Sequence, residues 1–113
     1  MQITEQRDRG VVVVAPVGRI DSTTSAALEG HVQALVRAGE RRIVVDFAGT
    51  DYISSAGLRV MLVLAKGLRG GPGGLVFCAM TEPVRQVFDL AGFLPLFVIE
   101  PSRDAAIARL VGP

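Results

Sequence analysis

Apolar positions along the chain fall into two kinds of pattern. Short runs rich in β-branched residues are typical of strands, whereas segments with apolar residues three and four positions apart are typical of amphipathic helices. Taken in order along the sequence, these patterns predict two strands and a helix, followed by three further strand–helix pairs.

The first two strands are predicted to form a β-hairpin. Ile3 to Arg9 is polar enough to be an edge strand, Gly10 supplies the turn, and Val11 to Val14 starts an apolar strand that ends near Gly18. Pro16 has no backbone N–H to donate, so we expect it at a sheet edge, at a bulge or beyond the last paired residue.

The first helix is predicted over residues 25–38. Its apolar residues follow the i, i+4, i+7, i+8 spacing of a helix that buries one face, and Gly39 provides a C-terminal stop. Four consecutive residues in front of it offer oxygens that can cap the helix, namely Asp21, Ser22, Thr23 and Thr24.

The middle of the chain predicts a buried strand and a strongly apolar helix. Ile43 to Phe47 is an apolar run broken only by Asp46, which favours a central parallel strand. Residues 48–53 are interpreted as a connector, and a serine at 54 or 55 is expected to cap a helix that runs to about Arg69. A second apolar stripe on this helix, which we expect to be buried, comprises Val60, Val63 and Leu64.

The last part of the chain predicts two more strands and two more helices. The strands are expected over Leu75–Met80 and Leu96–Ile99. Thr81 is placed to cap the helix that Gly92 ends, and Ser102 is placed to cap a short final helix.

Strands that alternate with helices across short connections indicate parallel neighbours with right-handed crossovers. The predicted fold class is therefore α/β, with a mostly parallel sheet of four to five strands, an antiparallel N-terminal hairpin and about four helices. A length of 113 residues suits one domain, so residues 1–113 are interpreted as a single domain.

Composition narrows the function classes. The chain has 12 Lys and Arg against 11 Asp and Glu, so no global field attracts nucleic acid. No apolar run approaches the length of about 20 residues that spans a bilayer, and Met1 to Glu5 lacks the features of a signal peptide. We therefore expect a cytoplasmic protein that neither binds nucleic acid nor inserts into a membrane.

The residues that could carry catalysis are few. Serine nucleophiles need a base, and His31 is the only histidine, in the middle of the first predicted helix. A nucleophile elbow would need glycine where Ile53 stands, two residues before Ser55. One histidine and one cysteine, Cys78 in an apolar run, provide no metal-ligand cluster. We expect no enzyme activity, no metal and no cofactor.

Two serines at the start of the second predicted helix remain as candidate chemistry. Ser54 and Ser55 could simply cap the helix. A phosphate at this turn would alternatively meet unsatisfied backbone N–H groups and the positive end of the helix dipole, which would accommodate it without unfolding the domain. It would also add nearly two negative charges to any docking surface there.

Four segments of the chain resemble one known family. Residues 44–47 (Val-Val-Asp-Phe) and 52–59 (Tyr-Ile-Ser-Ser-Ala-Gly-Leu-Arg) resemble the central motif of the STAS domain of anti-sigma factor antagonists. Residues 18–21 and 83–93 are similar to the segment before that family's first helix and to its third helix. The resemblance covers nearly the whole chain and implies a STAS-like fold.

The resemblance also implies a function. In that family an unphosphorylated antagonist binds an anti-sigma factor, often a serine kinase, and phosphorylation ends the interaction; a PP2C-type phosphatase is a further expected partner. The family phosphosite falls on Ser55, whereas Ser54 stands where the family has Asp and Ala56 where it has a second serine. The partner-binding residues it implies are Asp21, Ser54, Ser55, Ala56, Gly57, Leu58 and Arg59.

Because Ser54 supplies no charge at the Asp position, a second interpretation stays open. In this interpretation the chain is a STAS accessory subunit of a membrane transporter or of a signalling scaffold, and it has no phosphoswitch. Small-ligand or nucleotide binding is a third, by analogy between folds alone. The sequence leaves self-association open.

Overall fold

A computed structural model describes residues 1–68 and 73–111 of the chain. In these residues a single sheet of six strands packs against four α-helices. The strands are β1 (Gln2–Asp8), β2 (Val11–Ile20), β3 (Arg42–Asp46), β4 (Thr50–Ile53), β5 (Gly74–Cys78) and β6 (Val98–Glu100). The helices are α1 (Ser25–Arg37), α2 (Ser55–Leu68), α3 (Glu82–Leu90) and α4 (Arg103–Val111).

The predicted N-terminal hairpin is confirmed. β1 and β2 pair antiparallel, and both residues of the turn, Arg9 and Gly10, have positive φ angles of 53° and 78°. Positive φ at both central residues is the requirement of the type I′ turn that matches the twist of a hairpin. β2 is longer than predicted, because it continues through Gly18 to Ile20.

β2 has two successive parallel partners on its other side. It pairs with β3 along Val12–Val14 and with β4 from Gly18 onward, where the register shifts between Gly18 and Arg19. Pro16 lies between these two stretches and is paired with Ile3 of β1. Its missing N–H therefore interrupts neither parallel ladder, which explains how a proline is accommodated within a long strand.

The connector interpretation of residues 48–53 was wrong for its second half. Thr50 donates its N–H to the carbonyl of Phe47 at 2.9 Å, which turns the chain, and Thr50–Ile53 then forms β4 against the end of β2. β2 extends beyond β3, so its backbone groups there need another partner. The sheet consequently has six strands instead of four to five, in the order β1-β2-β3-β5-β6 with β4 beside β2.

The helices divide between the two faces of the sheet. Side chains of α1, α2 and α3 bury one face in the larger apolar core, which includes Phe47, Phe77 and Phe88 with ring centroids 5.5 to 6.0 Å apart. The other face is covered by Ala106 and Ile107 of α4. The mostly parallel α/β fold with about four helices is confirmed.

Smaller differences from the sequence predictions concern element ends. α1 ends at Arg37, one residue early, and β5 ends at Cys78 because Ala79 adopts a positive φ of 57°. The last strand begins only at Val98, after a 3₁₀ turn over Leu94–Leu96. The predicted end of the second helix at Arg69 lies outside the described residues.

Of the caps predicted for the last two helices, one is confirmed and one was wrong. Ser102 accepts the N–H of Ala105 at 3.1 Å, so it caps α4 as predicted. Thr81 precedes α3, but its hydroxyl donates to the carbonyl of Thr50 at 2.8 Å and does not cap the helix. None of the helices in the described part of the chain is both long enough and apolar enough to cross a membrane.

Candidate functional site

The carboxyl ends of β2 and β4 lie side by side. Ile20 and Ile53 are partners in the parallel pairing, and the N–H of Ser54 donates to the carbonyl of Ile20 at 2.8 Å. Asp21 follows Ile20 and Ser55 follows Ser54 in the sequence. The fold therefore brings the loop that carries Asp21 and the turn that starts α2 to the same edge of the sheet.

Asp21 is held in place by the residues that follow it. Its Oδ1 accepts the hydroxyl of Thr23 at 2.7 Å and the backbone N–H groups of Thr23 and Thr24 at 3.0 and 3.1 Å. The bond from the Thr23 hydroxyl, followed by the two N–H bonds, lowers the pKa of Asp21 to about 2. Asp21 therefore carries a fixed negative charge at neutral pH.

Thr24 completes this loop. Its hydroxyl donates to the carbonyl of Arg19 at 2.7 Å and accepts the N–H of Asp21 at 2.9 Å. Thr24 is also the residue immediately before α1, although its side chain makes no capping bond to that helix. Of the four residues predicted as caps, Asp21, Thr23 and Thr24 therefore form the bonds that hold this loop.

Ser54 has a structural role at the start of α2. Its side-chain oxygen accepts the N–H of Gly57 at 3.2 Å, and its carbonyl accepts the N–H of Leu58 at 2.9 Å. Ser54 is half-buried. Of the two serines, Ser54 is therefore the cap, and its hydroxyl is already engaged.

Ser55 is the first residue of α2 and is exposed. Within residues 1–68 and 73–111 its hydroxyl forms no hydrogen bond. The first turn of α2 contains no acidic residue, so the partial positive charge of the helix start is not compensated there. The Ser55 hydroxyl is accessible to a reagent or a partner that approaches from solvent.

Gly57 allows α2 to lie close against the sheet. A Cβ atom at this position would be 2.7 Å from Cγ1 of Ile53 and 2.8 Å from Cγ2 of Ile20. Leu58 is 4% exposed and belongs to the larger core. Both residues therefore hold the helix in place, and the exposed members of the motif are Ser55 and Arg59.

A cation–π contact near the site was not predicted from the sequence. The guanidinium of Arg19 lies over the ring of Tyr52, 4.1 Å from its centroid. This cation–π contact depends on the pairing of β2 with β4, in which Arg19 and Tyr52 are direct partners. Because residues 50–53 were interpreted as a connector, sequence reasoning could not find it.

The remaining candidate residues lie elsewhere. His31 contacts Glu5 of β1 at 2.8 Å, so its ring is engaged with a carboxylate. Cys78 is buried in the core on the α4 side of the sheet. No group of three or more His, Cys, Asp or Glu side chains in the described ranges is arranged to hold a metal ion.

Comparisons with known proteins agree with this architecture. The model of the STAS domain family matches residues 2–106. BtrV of Bordetella bronchiseptica, a candidate anti-sigma factor antagonist, is 44% identical over 108 residues that cover 96% of this chain and 93% of BtrV. The anti-sigma F factor antagonist of Paenibacillus polymyxa is 29% identical, with 97% of this chain and 92% of that protein covered.

A solved structure extends the similarity to three dimensions. The crystal structure of an anti-sigma factor antagonist from Mycobacterium paratuberculosis superimposes with a TM-score of 0.90 at 26% sequence identity. The superposition covers 98% of this chain and 94% of that one.

Proposed function

Since the chain belongs to the STAS domain family, we propose that it is an anti-sigma factor antagonist, which binds an anti-sigma factor in the cytoplasm and so frees a sigma factor for transcription. Proteins of this kind are regulatory and not enzymes. The proposal is supported by the names of relatives that match almost the full length of the chain.

The observation that carries the proposal is the position of Ser55. Its hydroxyl is exposed and unbonded within the described residues, and it lies at the same edge of the sheet as the ionised Asp21. We call the surface formed by Asp21, Ser55 and Arg59 the docking surface. The bond between Ser54 and Ile20 holds its two halves together.

The proposal includes a switch at Ser55. The partner is an anti-sigma factor with serine kinase activity, and it supplies ATP, metal ion and base. The Ser55 oxygen forms a bond to the γ-phosphorus while the bond from that phosphorus to the bridging oxygen of ADP breaks, and the hydroxyl proton passes to the kinase base. A PP2C-type phosphatase reverses the modification by hydrolysis.

The environment of Ser55 fits a phosphate that leaves the fold intact. The backbone N–H groups at the start of α2 and the helix dipole favour an anion. The new charge of about −2 at pH 7 then changes the docking surface without unfolding the domain. The phosphate is assigned to Ser55 and not to Ser54, because Ser54 is half-buried and its oxygen accepts the N–H of Gly57.

The test is intact-mass spectrometry of the protein purified from its own cells, with the modified residue located by fragmentation. The expected result is a mass increase of one phosphate on Ser55 that is missing from a Ser55→Ala variant. An unmodified chain under both growth and stress conditions would contradict the switch and favour the accessory-subunit alternative, which the neutral Ser54 suggests.

A further inference from the structure

The exposed face of α2 continues from Ser55 along the helix. Ser55, Arg59, Val63 and Lys66 are all exposed. At 100° per residue, their spacing of four, four and three residues places them within an arc of about 80°. They form one stripe, which we call the α2 stripe, and it starts at the proposed docking surface.

An apolar groove lies beside this stripe, between α1 and α2. Its volume is about 250 Å³, and it is lined by Gln33, Val36, Arg37, Val63, Leu64 and Gly67. Val63 is 44% exposed, in contrast to Val60 and Leu64 at 8% and 4%, so the expectation that all three would be buried was wrong for Val63. An exposed valine at the edge of an apolar groove is a place where a partner side chain could be buried.

The exposed charged residues of α1 and α2 are all basic. α2 contains two basic residues, Arg59 and Lys66, and no acidic residue, and Arg37 ends α1. None of these three forms an ion pair within the described part of the chain. The only acid of α1, Glu29, is half-buried and accepts a hydrogen bond from Gln33.

We propose that the α2 stripe and the groove bind an acidic amphipathic segment of the anti-sigma factor. An apolar side chain of that segment enters the groove beside Val63, and its carboxylates face Arg37, Arg59 and Lys66. Unpaired cations around an apolar floor match a partner of that composition. This inference rests on the proposed function and names the chemistry of the partner.

The same arrangement explains how a phosphate at Ser55 would weaken binding. Arg59 is four residues after Ser55, which is the spacing at which side chains of one helix face meet. A phosphate on Ser55 pairs with Arg59 and takes this cation away from the partner's carboxylates. It also repels those carboxylates directly.

The experiment is isothermal titration calorimetry of the full chain against its purified anti-sigma factor, at low and at high salt. The variants are Arg59→Glu and Lys66→Glu in the α2 stripe, with Arg85→Glu on the exposed face of α3 as the matched control. Arg59, Lys66 and Arg85 are all exposed, so we expect the three variants to fold. Thermal unfolding of each variant is the check.

We expect Arg59→Glu and Lys66→Glu each to raise Kd about fivefold to tenfold and to reduce its salt dependence. Arg85→Glu should stay within about twofold of the wild type. If both stripe variants bind as tightly as the control, the inference is overturned while the proposed function stands. If the wild-type chain does not bind the anti-sigma factor, the proposed function fails and this inference with it.

Discussion

The backbone N–H of Ser54 donates a hydrogen bond to the carbonyl oxygen of Ile20 at 2.8 Å. This bond joins the end of β2 to the start of α2, so that Asp21 and Ser55 come to the same edge of the sheet. Because the contact is between backbone atoms, substitutions at Ser55 leave it in place. Variants at Ser55 therefore report on the chemistry of the docking surface and not on its assembly.

Replacing Gly57 by alanine tests the close approach of α2 to the sheet. The added Cβ would lie within 2.8 Å of side-chain atoms of Ile20 and Ile53, so we expect a loss of about 1–3 kcal/mol in the free energy of unfolding. Gly67→Ala in the same helix is the control, since no atom of the described residues outside its own helical turn lies within 4 Å of its Cβ position. Urea unfolding should show the control unchanged or stabilised by up to about 1 kcal/mol. Equal stability of the two variants would contradict the packing described here.

The carboxylate of Asp21 should give a pH-dependent contribution to stability. Its pKa is about 2 in the folded chain and 3.8 ordinarily, so the folded state favours the ionised form. The contribution is complete above pH 4 and is lost as the pH falls from about 4 to about 2. Thermal unfolding of the wild type and Asp21→Asn should therefore differ at neutral pH and converge in this acid range. A difference that is independent of pH would contradict the bonding at Asp21.

Asp21→Asn and Asp21→Ala separate the charge of the loop from its shape. The amide oxygen of asparagine can still accept the N–H groups of Thr23 and Thr24, whereas alanine cannot. We expect the chemical shifts of the Thr23 and Thr24 amides to change strongly in Asp21→Ala and only slightly in Asp21→Asn. Similar changes in both variants would mean that the loop does not depend on these bonds.

The thiol of Cys78 should be unreactive in the folded chain. Burial, and secondarily the carboxylate of Asp46, raises its pKa to about 12, so almost no thiolate is present at neutral pH. We expect negligible reaction with a disulfide reagent under native conditions and complete reaction after unfolding in guanidinium. A fast native reaction would indicate that the core on the α4 side opens readily.

The ion pair between Asp46 and Arg103 links β3 to α4. Asp46 is 4% exposed; its Oδ2 accepts the Nε of Arg103 at 2.9 Å, and its Oδ1 accepts the N–H of Ala48. Arg103→Ala leaves one oxygen of a buried carboxylate without its partner, at an expected cost of about 1–3 kcal/mol in chemical unfolding. Arg109→Ala in the same helix removes an exposed pair with Glu100 and should cost less than about 1 kcal/mol. Equal costs would contradict the distinction between the two pairs.

The sequence was sufficient for the parts of the fold that repeat a local pattern. The hairpin was predicted from the valines of β2 and the glycine at position 10, and α1 from its helical spacing. β4 was missed because Thr50–Ile53 is too short for a clear alternation and is defined by pairing with residues about 30 positions earlier. Strands of this kind depend on tertiary contacts more than on local propensity.

Only those features of the candidate site that depend on a local sequence pattern were predicted. The position of Ser55 at a helix start followed from the sequence, whereas its exposure was seen only in the structure. Which serine caps the helix, and the contact of Arg19 with Tyr52, depend on the pairing of β2 with β4. The pair of Asp46 and Arg103 is separated by 57 residues, so no local signal predicts it.

The most direct test of the central claim compares three forms of the chain: unmodified, with phosphoserine installed at position 55, and with phosphoserine at position 102. Ser102 is the matched control, because it stands before α4 on the other face of the sheet. We predict that phosphoserine at 55 weakens binding to the purified anti-sigma factor by about tenfold or more, and that phosphoserine at 102 changes Kd by less than about twofold. Full affinity of the chain phosphorylated at 55 would contradict the account.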